Sequence, residues 1–333
     1  MKNKSPLRDE NEKIIEEEVQ RLMEERGRKA LELAKKFIFE ENIQSKEIRE
    51  ASRCFMEYWN DLARPSLISL CCEVVGGDPE ITVPFGAAIT IICVATDIHD
   101  DIIDKSIRKL SHLTIFGKFG RNVALLLGDY LLFKGFSILH RAYRTIHVKK
   151  AERVQSVLEK MLYEMGDGEA LELKFQGNLD VDPQEYLSLA KMKAADIEAC
   201  TRIGAILGNG SEEEIEALGR YGRMLGTIFI LRDDLADSFD YEELSHRIKY
   251  EALPLPLILS LKNSETKDEM RTILKGKLRK KDMEIVSKLV HKSGVVKNIN
   301  EIINELYSNA ASSIKTINKN WELKLLLDAV TLL

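Results

Sequence analysis

The chain reads as an all-α protein, a large single-domain helical bundle, and three observations predict this. Apolar residues recur at helical spacing almost throughout, as in Leu31, Leu33, Ala34 and Phe37, or Ile215, Leu218, Tyr221, Gly222 and Leu225. Helix breakers are scarce: 7 prolines and 19 glycines in 333 residues. Strand signals are nearly absent. Asn209-Gly210 separates two helical patterns rather than two alternating runs, and Ser211 with Glu214 forms a capping box for the helix that follows.

The periodicity predicts helices at about 8–40, 45–60, 65–76, 82–105, 120–147, 149–176, 183–208, 212–239, 251–262, 266–278, 281–291, 295–314 and 318–332. Helices 82–105 and 212–239 are apolar on most faces, which places them at the centre of the bundle. A chain of this length can hold one large core or two ordinary domains. No Pro-, Gly- or Ser-rich linker and no fixed repeat divides it, so residues 1–333 read as one domain.

Composition excludes several classes. Hydrophobic residues make up 44% and charged residues 31%, too apolar for disorder. A net charge of −5 leaves no nucleic-acid footprint, and the basic run Lys277, Arg279, Lys280, Lys281 reads as a solvated helix end. Cys54, Cys71, Cys72, Cys93 and Cys200 form no CxxC pair and read as small buried hydrophobes in a reducing compartment. The charged start MKNKSPLRDENEK has no apolar core of a signal peptide. The most apolar stretch, Ile81 to Ile98, is interrupted by Pro84, Gly86 and threonines and runs into acidic residues, so it reads as a core helix. The expectation is a cytoplasmic protein with no transmembrane segment.

Chemistry concentrates in two acidic clusters. Asp97, Asp100, Asp101 and Asp104 are spaced i, i+3, i+4, i+7 and share one helix face, with Ile98, Ile102 and Ile103 opposite. Like charges at this spacing repel, and a divalent cation offsets that naturally. The second cluster, Asp233, Asp234 and Asp237, ends another apolar helix. Hard oxygen ligands without metal-spaced His or Cys suit Mg²⁺, which typically takes one or two carboxylates plus substrate phosphates. Two facing patches of this kind are expected to cradle Mg²⁺ on a diphosphate.

With these motifs in hand, the sequence resembles the trans-prenyl diphosphate synthase (polyprenyl synthetase) family, which carries two DDxxD motifs on an all-α fold. Further likenesses are Arg64-Pro65, Gly76-Gly77, Phe116 to Gly120, Gly128 to Leu132, Tyr186 to Lys193, Tyr221-Gly222 and Leu225-Gly226. The family-like core covers about 20–265, and the C-terminal helices 266–333 match weakly. The resemblance implies the isoprenoid synthase fold with a central active-site cavity, a homodimer, and three Mg²⁺ ions with bound diphosphate. It implies metal ligation by Asp100, Asp101, Asp104, Asp233, Asp234 and Asp237, ionisation of an allylic prenyl diphosphate, and attack by isopentenyl diphosphate on the cation. Arg108 and Lys193 are similar in position to the family's cations on the allylic diphosphate. The long apolar helix 120–147 suits either a dimer interface or an internal core. Thr96 and Ala95, just before the first motif, are small where a bulky residue stops chain growth, which implies a C20 or longer product.

The departures from the family gather at the isopentenyl side. Its Gly-Lys-Arg-x-Arg-Pro segment is replaced by Asn60-Asp61-Leu62-Ala63-Arg64-Pro65, so Asp61 stands in place of a lysine. The Arg-Arg pair after the first motif is Arg108-Lys109, and lysine lacks a bidentate fork. Cys93 replaces a polar partner, Ala194 a threonine and Ile230 a glutamine, while the Gly-Lys after the second motif is missing, with Arg247 or Lys249 as substitutes. A unit charge pair at roughly 4 Å and an effective dielectric near 20 is worth about 4 kcal/mol, enough for Asp61 to weaken diphosphate binding. Three readings follow: elongation with isopentenyl diphosphate, prenyl transfer to another acceptor or cyclisation, and a non-catalytic partner of a complete synthase. The three aspartates of the second cluster, without an Asn/Ser/Glu triad, count against cyclisation.

Overall fold

The computed structural model describes residues 10–109, 112–276 and 278–332. The amino-terminal segment read for a signal peptide begins outside this range, and Lys277 of the basic run lies outside it. The helices are α1 (Glu10–Phe39), α2 (Lys46–Tyr58), α3 (Ala63–Val74), α4 (Val83–Ile103), α5 (Ile115–Phe119), α6 (Arg121–Tyr143), α7 (Val148–Phe175), α8 (Pro183–Lys193), α9 (Ala195–Leu207) and α10 (Glu212–Asp237). They continue with α11 (Tyr241–Tyr250), α12 (Leu255–Lys262), α13 (Lys267–Lys275), α14 (Met283–Lys292), α15 (Val295–Ser313) and α16 (Trp321–Leu332). A two-stranded antiparallel ladder, β1 (Arg108–Lys109) with β2 (His112–Leu113), follows α4. The protein is all-helical apart from this ladder among the described residues.

The chain divides into two compact units. One gathers the residues up to Leu158, Ala199–Gly219 and Ile314–Leu332. Here α4 is buried along most of its length and packs closely on α6. The approach depends on small residues: a Cβ at Gly135 would meet Ile92 and the Ala88 carbonyl, and one at Gly128 would meet the His99 ring. Pro84 sits in the first turn of α4, where its missing N–H has no helical partner to lose. The carboxy-terminal helix α16 returns to α1, where Arg26 donates to both Glu322 oxygens at 2.9 Å. Gly76 holds φ at +91°, and the Gly77 Cα lies where a Cβ would strike Gly208 and Cys72. The Gly76-Gly77 pair therefore lets the end of α3 meet the end of α9.

The other unit comprises Glu159–Glu198 and Arg220–Ser313. Its core is α12, with Leu255, Leu257, Ile258 and Leu261 buried against α8, α13, α14 and α15. Arg223 ties three of its helices together, donating to Glu164 on α7 at 2.7 and 2.9 Å, to Glu198 on α9 at 2.5 Å and to the Lys191 carbonyl of α8.

Differences from the sequence reading are local. The predicted helix 183–208 breaks at Ala194 into α8 and α9. Helix α11 was not foreseen; Asp240 starts it by accepting the N–H groups of Glu242 and Glu243. The helix expected from 251 begins at Leu255, because Pro254 is extended and restricts its predecessor. The capping box is as read: Glu214 accepts the Ser211 N–H at 2.7 Å and Ser211 accepts the Glu214 N–H at 3.2 Å. Two stretches, Pro79–Ile103 and Arg121–Tyr143, are long and apolar enough to cross a membrane, and most of the first is buried, as a core helix is.

The contact at Gly77 gives a test. Gly77→Val is expected to destabilise the protein by roughly 2–3 kcal/mol through overpacking, read as a lower urea midpoint. An unchanged midpoint would mean that the ends of α3 and α9 are not in close contact.

Candidate active site

The first cluster is positioned by the carboxyl end of α4. The helix is buried through Ala95 and then turns polar. Asp97 and Asp100 are partly exposed, while Asp101 and Asp104 are 8% and 7% exposed. Carboxylates here meet each other and the negative end of the helix dipole, so cations are required. Two arrive from the flanks. Beyond α4, the Thr114 hydroxyl donates to the Ser106 carbonyl at 2.5 Å and accepts the Gly117 N–H at 2.9 Å. That staple folds the ladder back, and Lys109 Nζ lies 2.8 Å from Asp101 Oδ1 and 3.8 Å from Asp100 Oδ2. From the start of α3, Arg64 Nη1 reaches Asp61 Oδ2 at 2.7 Å and Asp97 Oδ2 at 3.4 Å. Asp61 thus engages the one arginine retained in its segment. Arg108 is exposed on β1. The Thr96 hydroxyl donates to the Cys93 carbonyl at 2.6 Å, and Ala95 and Cys93 are fully buried.

The second cluster sits at the carboxyl end of α10, at a cavity of about 190 Å³ lined by Glu172, Lys193, Ile230, Asp233, Asp234 and Arg247, among others. Lys193 pairs with Glu172 and lies 3.5 Å from Glu169. Arg247 Nη1 donates to Asp234 Oδ1 at 2.7 Å and Asp237 Oδ2 at 2.9 Å, its Nη2 to the Tyr186 hydroxyl at 2.9 Å, and its Nε to the Ala252 carbonyl at 3.1 Å. Tyr186 donates to Asp234 Oδ1 at 2.8 Å, and the Leu255 N–H donates to Asp234 Oδ2 at 3.2 Å. Sequence reasoning had pointed to Arg247 and Lys193 but missed Glu172 and the part of Tyr186. The spacing Glu169, Glu172 on one helix face was a readable signal; the pairing of residues 48 apart in the chain was not.

Electrostatics separate the aspartates. Burial raises the Asp101 pKa against the pull of Lys109, and burial likewise raises Asp237 against Arg247. Asp233 is pushed up to about 6, by burial first and then by Asp237 and Asp234, with Arg247 opposing. Burial works against the Arg247 charge, yet Tyr186, Asp234, Glu251 and Asp237 hold its pKa well above the ordinary value.

The donor set suits a hard divalent cation. Asp100 Oδ1 is shielded from solvent and has no hydrogen-bond partner among the described residues, and Asp233 has neither a hydrogen bond nor an ion pair among them. No three Asp, Glu, His or Cys side chains of the described residues converge on one point. Mg²⁺, which keeps waters and takes phosphate oxygens, does not require such convergence.

Comparison with known proteins follows the same lines. The sequence pattern of the polyprenyl synthetase family matches residues 46–292. A short chain isoprenyl diphosphate synthase of Methanothermobacter thermautotrophicus is 35% identical over 216 residues, covering 63% of this chain and 66% of that protein. A geranylgeranyl diphosphate synthase of Methanosarcina mazei is 32% identical over 205 residues, covering 61% and 62%. The matched stretch thus spans less than two thirds of each relative's length. The crystal structure of a geranylgeranyl pyrophosphate synthetase from Pyrococcus horikoshii superposes with a TM-score of 0.85 at 26% identity, over 95% of this chain and 98% of that one.

Asp233 offers a pH test. Its folded pKa exceeds its unfolded value, so its ionised form costs stability: fully above about 6, and progressively less as pH falls toward the unfolded value. Asp233→Asn is therefore expected to raise Tm of the metal-free protein by about 1–4 °C at pH 7.5, with the gain shrinking as pH drops below about 6. A gain independent of pH would show that Asp233 ionisation is not strained.

Proposed function

The chain belongs to the polyprenyl synthetase family, and from that premise we propose that it is a Mg²⁺-dependent prenyltransferase whose residues 1–333 act as one functional domain. It ionises an allylic prenyl diphosphate and condenses it with isopentenyl diphosphate to a longer trans-prenyl diphosphate of C20 or more. The observation that carries this reading is the pair of intact aspartate clusters ending the two apolar helices α4 and α10 in a chain of this family. Relatives named for geranylgeranyl, a C20 chain, support the product length.

Asp100, Asp101, Asp104, Asp233, Asp234 and Asp237 are the candidate metal ligands, for three ions with bound diphosphate. When bound, the metal neutralises charge building on the departing diphosphate. Lys193 and Arg108 add positive charge for the same leaving group. Apolar residues around Ala95 and Thr96 receive the prenyl chain and keep water from the cation. Arg64 and Lys109 are the candidates for isopentenyl diphosphate. One observation favours a second acceptor: Arg64 already carries Asp61 and Asp97, and Lys109 carries Asp101. A homodimer is part of the proposal, supported by the exposed apolar side chains Leu125, Leu126, Tyr130, Phe133 and Phe136 along α6. The five cysteines, none of them in a disulfide among the described residues, support a cytoplasmic setting.

Purified protein with Mg²⁺ and C5 to C20 allylic diphosphates, with and without isopentenyl diphosphate, is expected to yield longer prenyl diphosphates by mass spectrometry only when both substrates are present. Asp100→Ala should lower turnover by about 10²-fold or more. Consumption without elongation would move the reading to another acceptor, and an unaffected Asp100→Ala would remove the metal assignment. Ala95→Phe should shorten the product; an unchanged length would count against chain growth past that position.

A further inference from the structure

Within the second cluster the three aspartates are treated differently. Asp234, 2% exposed, has both oxygens occupied: Oδ1 by Arg247 and Tyr186, Oδ2 by the Leu255 N–H. Asp237 shares the same guanidinium nitrogen. Asp233 stands apart, with no hydrogen bond or ion pair among the described residues, and lines the cavity. Arg247 is itself buried, and each of its three nitrogens donates to an acceptor. The network joins α8, α10, α11 and the first residue of α12.

We propose that Arg247 is a positioning residue that acts as the built-in cation of the second cluster, seated between Asp234 and Asp237 where a divalent ion would otherwise be drawn, so that α10 presents Asp233 to the metal. This rests on the function proposed above and narrows its ligand set: of the three candidate aspartates in the second cluster, Asp233 alone meets the metal directly, while Asp234 and Asp237 hold Arg247. The physical case has three parts. A guanidinium bridging Asp234 and Asp237 offsets one of the cluster's three negative charges, and Glu251 lies 3.6 Å from its Nε on the other side, which relieves crowding at the carboxyl end of α10. The fork geometry lets one group satisfy carboxylates, a hydroxyl and a carbonyl at once. Withdrawing it would strand a buried carboxylate, so an ion arriving from solvent does not readily displace it.

The test uses the full chain and Mn²⁺ as the probe, in the presence of inorganic pyrophosphate, with bound and free ion separated by electron paramagnetic resonance. Asp233→Asn is expected to weaken Mn²⁺ binding by about tenfold or more, whereas Asp237→Asn changes it by less than about threefold. Arg247→Gln, which removes the cation shared by Asp234 and Asp237, should add one Mn²⁺ per chain or tighten binding by about tenfold. Arg247→Lys, which keeps the charge without the fork, should lie between wild type and Arg247→Gln. The proposal is overturned if folded Arg247→Gln binds Mn²⁺ as wild type does, or if Asp237→Asn weakens it as much as Asp233→Asn. Should circular dichroism find Arg247→Gln unfolded, the comparison of Asp233→Asn with Asp237→Asn decides alone. Consumption of allylic diphosphate by the same wild-type preparation is scored separately. Its absence would sink the enzymatic reading while leaving the Mn²⁺ comparison standing.

Discussion

Carboxylates crowded at the carboxyl ends of apolar helices are the constraint from which the rest of this protein follows. At such a position an aspartate meets its neighbours' charge, the negative end of the helix dipole and a loss of water. The chain accepts this twice, at the ends of α4 and α10. Each time, the fold brings a basic side chain back from a flanking segment. Lys109 returns on the ladder after α4, Arg64 comes from the start of α3, and Arg247 comes from α11.

The compensation is incomplete, and the gaps fall where chemistry is expected. Asp233 has no hydrogen bond or ion pair among the described residues, and its pKa is raised to about 6. Asp100 keeps one shielded oxygen without a hydrogen-bond partner among the described residues. Groups left strained in this way would favour a cation arriving from outside, as the proposed function requires, since its binding would relieve a cost already built into the free protein. The close approach of α4 and α6 through Gly128 and Gly135 places the α4 carboxylates at the end of a buried helix.

Much of this was legible in the chain. Periodicity placed most of the helices to within a few residues, because a 3.6-residue apolar stripe has few other uses. The aspartate spacing named the candidate metal ligands, because hard oxygen ligands on one helix face suggest their own chemistry. The features missed were short and depended on context. The ladder at Arg108–Leu113 has two-residue strands that no periodicity can reveal. The break at Ala194 involves no proline or glycine. Helix α11 did carry a readable start in Asp240, followed by Glu242 and Glu243.

By itself, then, the sequence determined the helical class, the family likeness and the identity of the acidic clusters, because these depend on residue type and short-range spacing. It could register that an acidic residue stands at position 61 and that the usual cation after the second motif is missing. Only the tertiary structure decided what those changes mean: Asp61 holds Arg64, and Arg247 enters the second cluster with Tyr186. The physical reason is that a hydrogen bond requires atoms about 3 Å apart. Which of many charged residues reach that distance is set by how helices pack, and not by their order along the chain.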